Sequence, residues 1–173
     1  LAPCVYACPN AVPAQGYVRA VAEEDFETAF QLIMARSPLQ YACGKVCDHP
    51  CEKACTRGEK DEPIMIRAIK RFVLEMGIKE GWKPKILEKR GSAKNRKVAV
   101  VGSGPAGLSC AFHLARSGYK VTVFEAAPKA GGMLRYGIPA YRFNDEELDR
   151  EIEFVRSVGV NFVFGKAMGR DFT

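Results

Sequence analysis

Apolar residues recur along the first half of the chain with a helical period. Phe26, Ala29, Phe30, Ile33 and Met34 fall at i, i+3, i+4, i+7 and i+8, a continuous stripe that predicts a helix over 25–36. Asp25 is placed to cap it, and Ser37-Pro38 ends it, because the residue before a proline is pushed out of the helical region. A shorter helix is expected over 16–22. Ile66, Ile69, Val73 and Met76 mark the inner face of a third, with Pro63 at its first position behind Asp61 or Glu62, and Gly77 at its end. Arg67, Lys70 and Arg71 share another face, either solvated or set to offset a nearby anionic centre.

The period changes at Lys97. Val98–Val101 reads as a buried parallel strand, and Leu108, Ala111, Phe112 and Ala115 as the inner side of a helix that runs to about Ser117 and stops at Gly118. Val121–Phe124 is a second strand, closing on Glu125. Asn144 and Glu147 form a capping-box pattern for a last helix, with Leu148, Ile152 and Val155 inward and Gly159 at its end. Val160–Phe164 is a third strand. The expected architecture is an α-helical domain over 1–78, a basic linker over 79–96, and the N-terminal part of an α/β Rossmann-like domain over 97–173.

Composition changes this picture little. Of 173 residues, 47% are hydrophobic and 27% charged, ordinary for a soluble globular protein. No apolar run approaches the roughly 18–20 residues of a membrane span. Leu1-Ala2-Pro3-Cys4 lacks the charged and apolar regions of a signal peptide, and there is no initiator methionine, so a fragment or processed product in a cytoplasmic setting is expected. The net charge of +6 looks at first like a nucleic-acid signal. It is concentrated in 79–97, where Lys79, Lys83, Lys85, Lys89, Arg90, Lys94, Arg96 and Lys97 outnumber Glu80 and Glu88 by 8 − 2 = 6. A short basic connector, not a nucleic-acid face, is the reading.

Cysteine spacing changes it more. Cys43, Cys47, Cys51 and Cys55 follow at a strict interval of four, yet Pro50 forbids one helix through all of them. Two short turns that aim several thiols together are expected. Cys4 and Cys8 precede them, and Cys8-Pro9 ends as ferredoxin-type motifs do. Cys110 lies within a predicted helix and is expected to be buried. The six grouped thiols suit iron–sulfur ligation. The alternative is a zinc-binding structural or interaction domain beside a degenerate nucleotide fold, although six thiols exceed one tetrahedral site. A metal centre would also give cohesion to a helical domain this small.

Gly102-Ser103-Gly104-Pro105-Ala106-Gly107 follows a strand, opens a helix, and is answered 18 residues later by Glu125. That context makes the glycine pattern a dinucleotide signature. Gly102 serves the turn, Gly104 admits a pyrophosphate, Gly107 permits close packing, and the helix N-terminus supplies amide donors. Glu125 is positioned for ribose hydroxyls. Beyond it, the paired Gly131-Gly132 permits either a ligand's approach or a tight turn.

Taken together, Cys4-x3-Cys8-Pro9, Cys43-Gly-Lys-Val-Cys47, Cys51-Glu-x2-Cys55, Val101-Gly-Ser-Gly-Pro-Ala-Gly107, Glu125, Gly131-Gly132 and Tyr136-Gly-Ile-Pro139 closely resemble the glutamate synthase small-subunit and dihydropyrimidine dehydrogenase N-terminal family. The resemblance spans essentially the whole chain. It implies a helical domain with two 4Fe–4S clusters and a Rossmann-like domain binding FAD, with NAD(P)H as electron donor at a separate inserted domain. It implies Cys4 and Cys55 at one cluster and Cys8, Cys47 and Cys51 at the other. It also implies FAD contacts from Gly102, Ser103, Gly104, Pro105, Ala106, Gly107, Glu125, Gly132, Met133, Arg142 and backbone near Met168. The implied partners are the remainder of the flavin- and NAD(P)H-binding protein and a redox partner subunit.

Three departures stand out. A Cys-x2-Cys pair that the family carries upstream of Cys4 is missing from this sequence, and the flavin domain is cut after its third strand, so the piece alone is expected to be inactive. Lys70 stands where relatives supply a Gln or Glu ligand, which leaves Cys43 to take the fourth place.

Overall fold

A computed structural model describes residues 1–86 and 96–173. They form two compact units, 1–85 and 86–173. The middle of the expected linker, including Lys89, Arg90 and Lys94, lies outside the described residues.

The first unit is helical: α1 (Pro3–Tyr6), α2 (Ala14–Ala22), α3 (Phe26–Met34), α4 (Gln40–Val46), α5 (Pro50–Lys53), a short 3₁₀ turn (Thr56–Glu59) and α6 (Ile66–Lys79). Its core is the predicted stripe of α3: Ala29, Phe30, Ile33 and Met34 are buried, while Asp25 Oδ1 accepts the Thr28 amide at 3.1 Å as the N-cap.

α6 differs from expectation at both ends. It begins at Ile66 rather than Pro63. Asp61 is occupied elsewhere, accepting from Arg57 Nε at 2.6 Å and from the Glu62 amide at 2.7 Å. The first turn is instead satisfied from a distance, the Arg67 amide donating to Glu52 Oε1 at 2.7 Å. The buried face is also rotated: Ile66, Lys70, Val73, Leu74 and Gly77 are inside, with Ile69 and Met76 half-buried.

Gly77 does not end the helix. A Cβ there would lie 2.6 Å from two ring carbons of Phe30, so glycine is required for packing. Gly81, at φ +70°, is the terminator. The Gly81 amide donates to Ile78 O at 3.2 Å and the Trp82 amide to Gly77 O at 2.9 Å, a Schellman closure. Trp82 then packs edge-on to Phe30, with ring centroids 5.9 Å apart. Gln31 holds the next residues, donating to Lys83 O at 3.0 Å and accepting the Lys85 amide at 2.8 Å. The start of the expected linker is therefore part of the helical unit.

The second unit is a three-stranded parallel sheet in the order β1 (Lys97–Val101), β2 (Lys120–Glu125), β3 (Asn161–Phe164), with Val101 opposite Phe124 and Glu125 opposite Phe164. α7 (Pro105–Arg116) joins β1 to β2, and α8 (Met133–Tyr136) and α9 (Asp145–Ser157) join β2 to β3. The predicted capping box on α9 is present, with Asn144 Oδ1 accepting the Glu147 amide at 2.9 Å. Phe112 of α7 and Phe154 of α9 pack 5.2 Å apart above Val100, Val121 and Val123. Two expectations fail here. β1 is not buried throughout: Val100 faces the helices, but Val101 is 53% exposed, because β1 is an edge of the described sheet and those helices pack together over one face. Cys110 is exposed, lying on α7 opposite Leu108, Ala111, Phe112 and Ala115.

Candidate functional site: a thiol cluster and a dinucleotide cradle

The two turns expected between Cys43 and Cys55 are present as α4 and α5. His49 makes the corner in the left-handed region, at φ 49° and ψ 53°. Its amide donates to Cys47 Sγ at 3.3 Å, its ring Nε2 lies 3.5 Å from Glu52 Oε2, and Arg67 Nη1 donates to Cys47 O at 2.7 Å. Nothing in the spacing of one histidine announced this corner. Its left-handed backbone, ahead of Pro50, is what sends Cys51 on a new course.

The six grouped cysteines are all half-buried. α1 packs on α5, which brings the two cysteine-bearing stretches together. Cys4 and Cys55 line one cavity of about 140 Å³, with Ala14, Val18, Ile64 and Ile66 among its apolar walls. Cys51 is not part of that lining. Burial pushes its thiol up, Lys70 draws it down, and Glu52, Cys8 and Cys47 push it further up. Burial also drives the Tyr17 phenol well above its ordinary range, reinforced by Cys51, Cys8 and Cys4; its hydroxyl reaches Ile66 O at 3.5 Å. Among the described residues, no three His, Cys, Asp or Glu side chains converge tightly enough for a single metal ion. Zinc draws each thiolate to about 2.3 Å.

The expected cationic face of α6 divides. Arg71 is exposed and pairs with Glu75 at 2.7 Å, Arg67 braces the Cys47 carbonyl, and Lys70 is buried. Cys43 lies on α4 one helical turn after Gln40.

In the second unit the glycines form a cradle. Gly102, at φ +91°, turns the chain out of β1, and its amide donates to Phe124 O at 2.8 Å. A Cβ on Gly107 would lie 2.0 Å from Gly102 O, so the third glycine sets the helix hard against the loop itself. Pro105 opens α7, leaving the amides of Ala106 and Gly107 in its first turn without intrahelical acceptors. Gly132, at φ +51° and ψ −132°, packs onto Gly104. The Gly131 amide donates to Ser103 O at 3.0 Å, which ties the second glycine motif to the first.

Glu125 is more engaged than a free ribose ligand. Its Oε2 accepts from the Ser103 amide at 2.7 Å and from Ser103 Oγ at 2.5 Å, and Oε1 accepts the Ala127 amide at 2.8 Å. Burial opposes its charge, but these bonds and one from the Ala126 amide outweigh it and hold the carboxyl below its ordinary value. Met133, Arg142 and Met168 are exposed, and Met168 pairs with Phe172 in an isolated bridge. Arg135 was not marked by the sequence. Its guanidinium is buried, donates to Ala130 O at 2.7 Å, and pairs with Asp145 at 2.9 Å and with Asp149, fixing α8 to α9.

Residues 1–82 match the family described as dihydropyrimidine dehydrogenase domain II, 4Fe-4S cluster, and residues 100–160 match the NAD(P)-binding Rossmann-like domain. The chain is 39% identical over 191 residues to the NADP(+)-dependent formate dehydrogenase subunit beta of Moorella thermoacetica, covering 99% of this chain and 27% of that one. It is 38% identical over 174 residues to the NADPH-Fe(3+) oxidoreductase subunit beta of Geobacter sulfurreducens, covering 99% and 26%. It is 36% identical over 162 residues to the NAD-dependent dihydropyrimidine dehydrogenase subunit PreT of Salmonella typhimurium, covering 92% and 38%. The chain thus spans about a quarter to two-fifths of the length of these curated relatives.

Proposed function

We propose, for a chain that belongs to the glutamate synthase small-subunit and dihydropyrimidine dehydrogenase family, a role in passing electrons between NAD(P)H-linked FAD and 4Fe–4S clusters. The chain joins a 4Fe–4S domain to an NAD(P)-binding Rossmann-like domain, and its relatives are named as oxidoreductase subunits. The observation that supports the finer reading is that Cys4 and Cys55 share one cavity wall, a lining that leaves out Cys8, Cys47 and Cys51. Cys4 and Cys55 would serve one cluster, and Cys8, Cys47 and Cys51 a second, completed by Cys43. When bound, such clusters store single electrons, and a flavin divides a hydride into single-electron steps.

The protein's own part is positional. Gly102, Gly104 and Gly132 clear the approach of a pyrophosphate, and the first-turn amides of α7 receive it. Ser103 and the Ala127 amide hold Glu125 in a fixed carboxylate orientation, from which it meets the ribose of FAD. Met133, Arg142 and Met168, being exposed, are free to flank the isoalloxazine. We place the whole protein in the cytoplasm, where thiols stay reduced. There it works with the remainder of its flavin- and NAD(P)H-binding part and a redox partner subunit. No helix among the described residues is long and apolar enough to cross a membrane.

Iron and acid-labile sulfide, measured on anaerobically prepared protein, test the reading. Both are expected in near-equal amounts. Zinc without sulfide would replace it with a structural metal domain.

A further inference from the structure

Lys70 is 9% exposed, and its Nζ donates to Gln40 Oε1 at 3.1 Å. Gln40 is fully buried. Among the described residues the partner of this cation is thus a neutral amide, not a carboxylate. A buried ammonium with a neutral acceptor is costly, since its desolvation is not offset by an opposite charge. The amide nitrogen of Gln40 is itself buried without a hydrogen-bond partner. A cation and an orphaned N–H donor therefore share one buried place between α4 and α6.

The anionic groups nearest this place are the thiols and Glu52, whose carboxylate is already engaged by the Arg67 amide and by His49 Nε2. α6, which carries Lys70, packs on α4, which carries Gln40 and Cys43, and on α5, which carries Cys51. Thiolates bound in a cluster carry the charge that this cation lacks in the bare protein. An added electron makes such a centre more negative, so a fixed neighbouring cation stabilises the reduced form most.

We propose that Lys70, held in place by Gln40, is a positioning residue that sets its ammonium beside the Cys8–Cys47–Cys51 centre and raises that centre's reduction potential relative to the centre served by Cys4 and Cys55. The inference rests on the cluster reading above. The Cys4–Cys55 cavity also has a cation on its wall, Arg57, but that one is exposed and paired with Asp61. The buried Lys70 therefore gives the two centres an energetic order, in which the centre beside it accepts electrons more readily.

The test is an EPR-monitored potentiometric titration of the whole gene product, prepared anaerobically, with iron and sulfide assayed in each sample. Wild type, Lys70→Met, Lys70→Arg and Gln40→Leu are compared. Lys70→Met is expected to shift the reduced-to-oxidised ratio of one centre at least tenfold toward oxidised at fixed poise, about 59 mV for one electron. The other centre stays in place. Lys70→Arg keeps the wild-type midpoint within a few-fold, and Gln40→Leu moves it in the same direction as Lys70→Met by less. An unmoved midpoint in Lys70→Met with full iron and sulfide overturns the proposal. If Lys70→Met loses the centre, retention in Lys70→Arg supports a need for the charge, and loss in both variants overturns it. A wild type without iron and sulfide sinks the cluster reading and this inference with it.

Discussion

Gly132 and Gly104 meet with no side chain between them: a Cβ on Gly132 would lie 2.7 Å from the Cα of Gly104. The reverse is not so. A Cβ on Gly104 would reach Gly132 Cα only at 4.0 Å, an ordinary contact. The two glycines therefore do different work. Gly104→Ala is expected to leave the fold intact and to weaken FAD binding at least tenfold, because its methyl occupies the approach of the pyrophosphate. Gly132→Ala is expected to weaken binding and lower Tm together, since its backbone also sits where L-residues are strained. Flavin titration beside thermal melts separates the cases. Unchanged binding in Gly104→Ala would remove the loop from the site.

Gly77 predicts a stability effect against the usual propensity. Alanine in a helix interior gains roughly 0.5–1 kcal/mol over glycine. Here the added methyl strikes the Phe30 ring, and overpacking of this kind costs about 1–3 kcal/mol. Gly77→Ala should be destabilised in denaturant melts, and Phe30→Leu in the same chain should recover part of the loss. A stabilised Gly77→Ala would show that the ring moves aside freely.

Glu125 carries a pH signature. Its carboxyl is held below its ordinary value in the folded chain, so its contribution is present above the unfolded pKa and is lost as pH falls through the depressed folded one. The stability gap between wild type and Glu125→Gln should be widest near neutrality and close in acid, below the ordinary carboxylate value of about 4.3. Melts from pH 7 downward measure it. A gap that stayed constant would mean the carboxylate bonds to Ser103 and Ala127 contribute nothing through charge.

Serine substitutions test the division of the thiols. Cys4→Ser and Cys55→Ser should perturb the same EPR signal, while Cys8→Ser, Cys47→Ser and Cys51→Ser perturb a second. Cys43→Ser should join the second group, as the fourth ligand. One signal lost in every variant would mean a single shared centre.

Much of this molecule was legible in its sequence because the signals are local. Hydrophobic period and capping residues placed α3, α7, α9 and the strands within a residue or two, since a helix stripe or an Asn144–Glu147 box needs only its own neighbours. The glycine loop and the cysteine row were likewise written in spacing. Tertiary structure decided what depends on distant partners. It moved the start of α6 to Ile66 because Glu52 caps it from another element, and it gave Gly77 to the Phe30 ring instead of to a helix stop. It left Cys110 exposed and one face of β1 open, because α7 buries a single stripe and packs with α9 above one side of the sheet. It also separated three cations that share a stretch of α6, leaving only Lys70 inside, with Gln40, thirty residues away in sequence, as its partner. Sequence spacing encodes contacts along the chain. Burial and partnership between remote residues are set only when the helices pack.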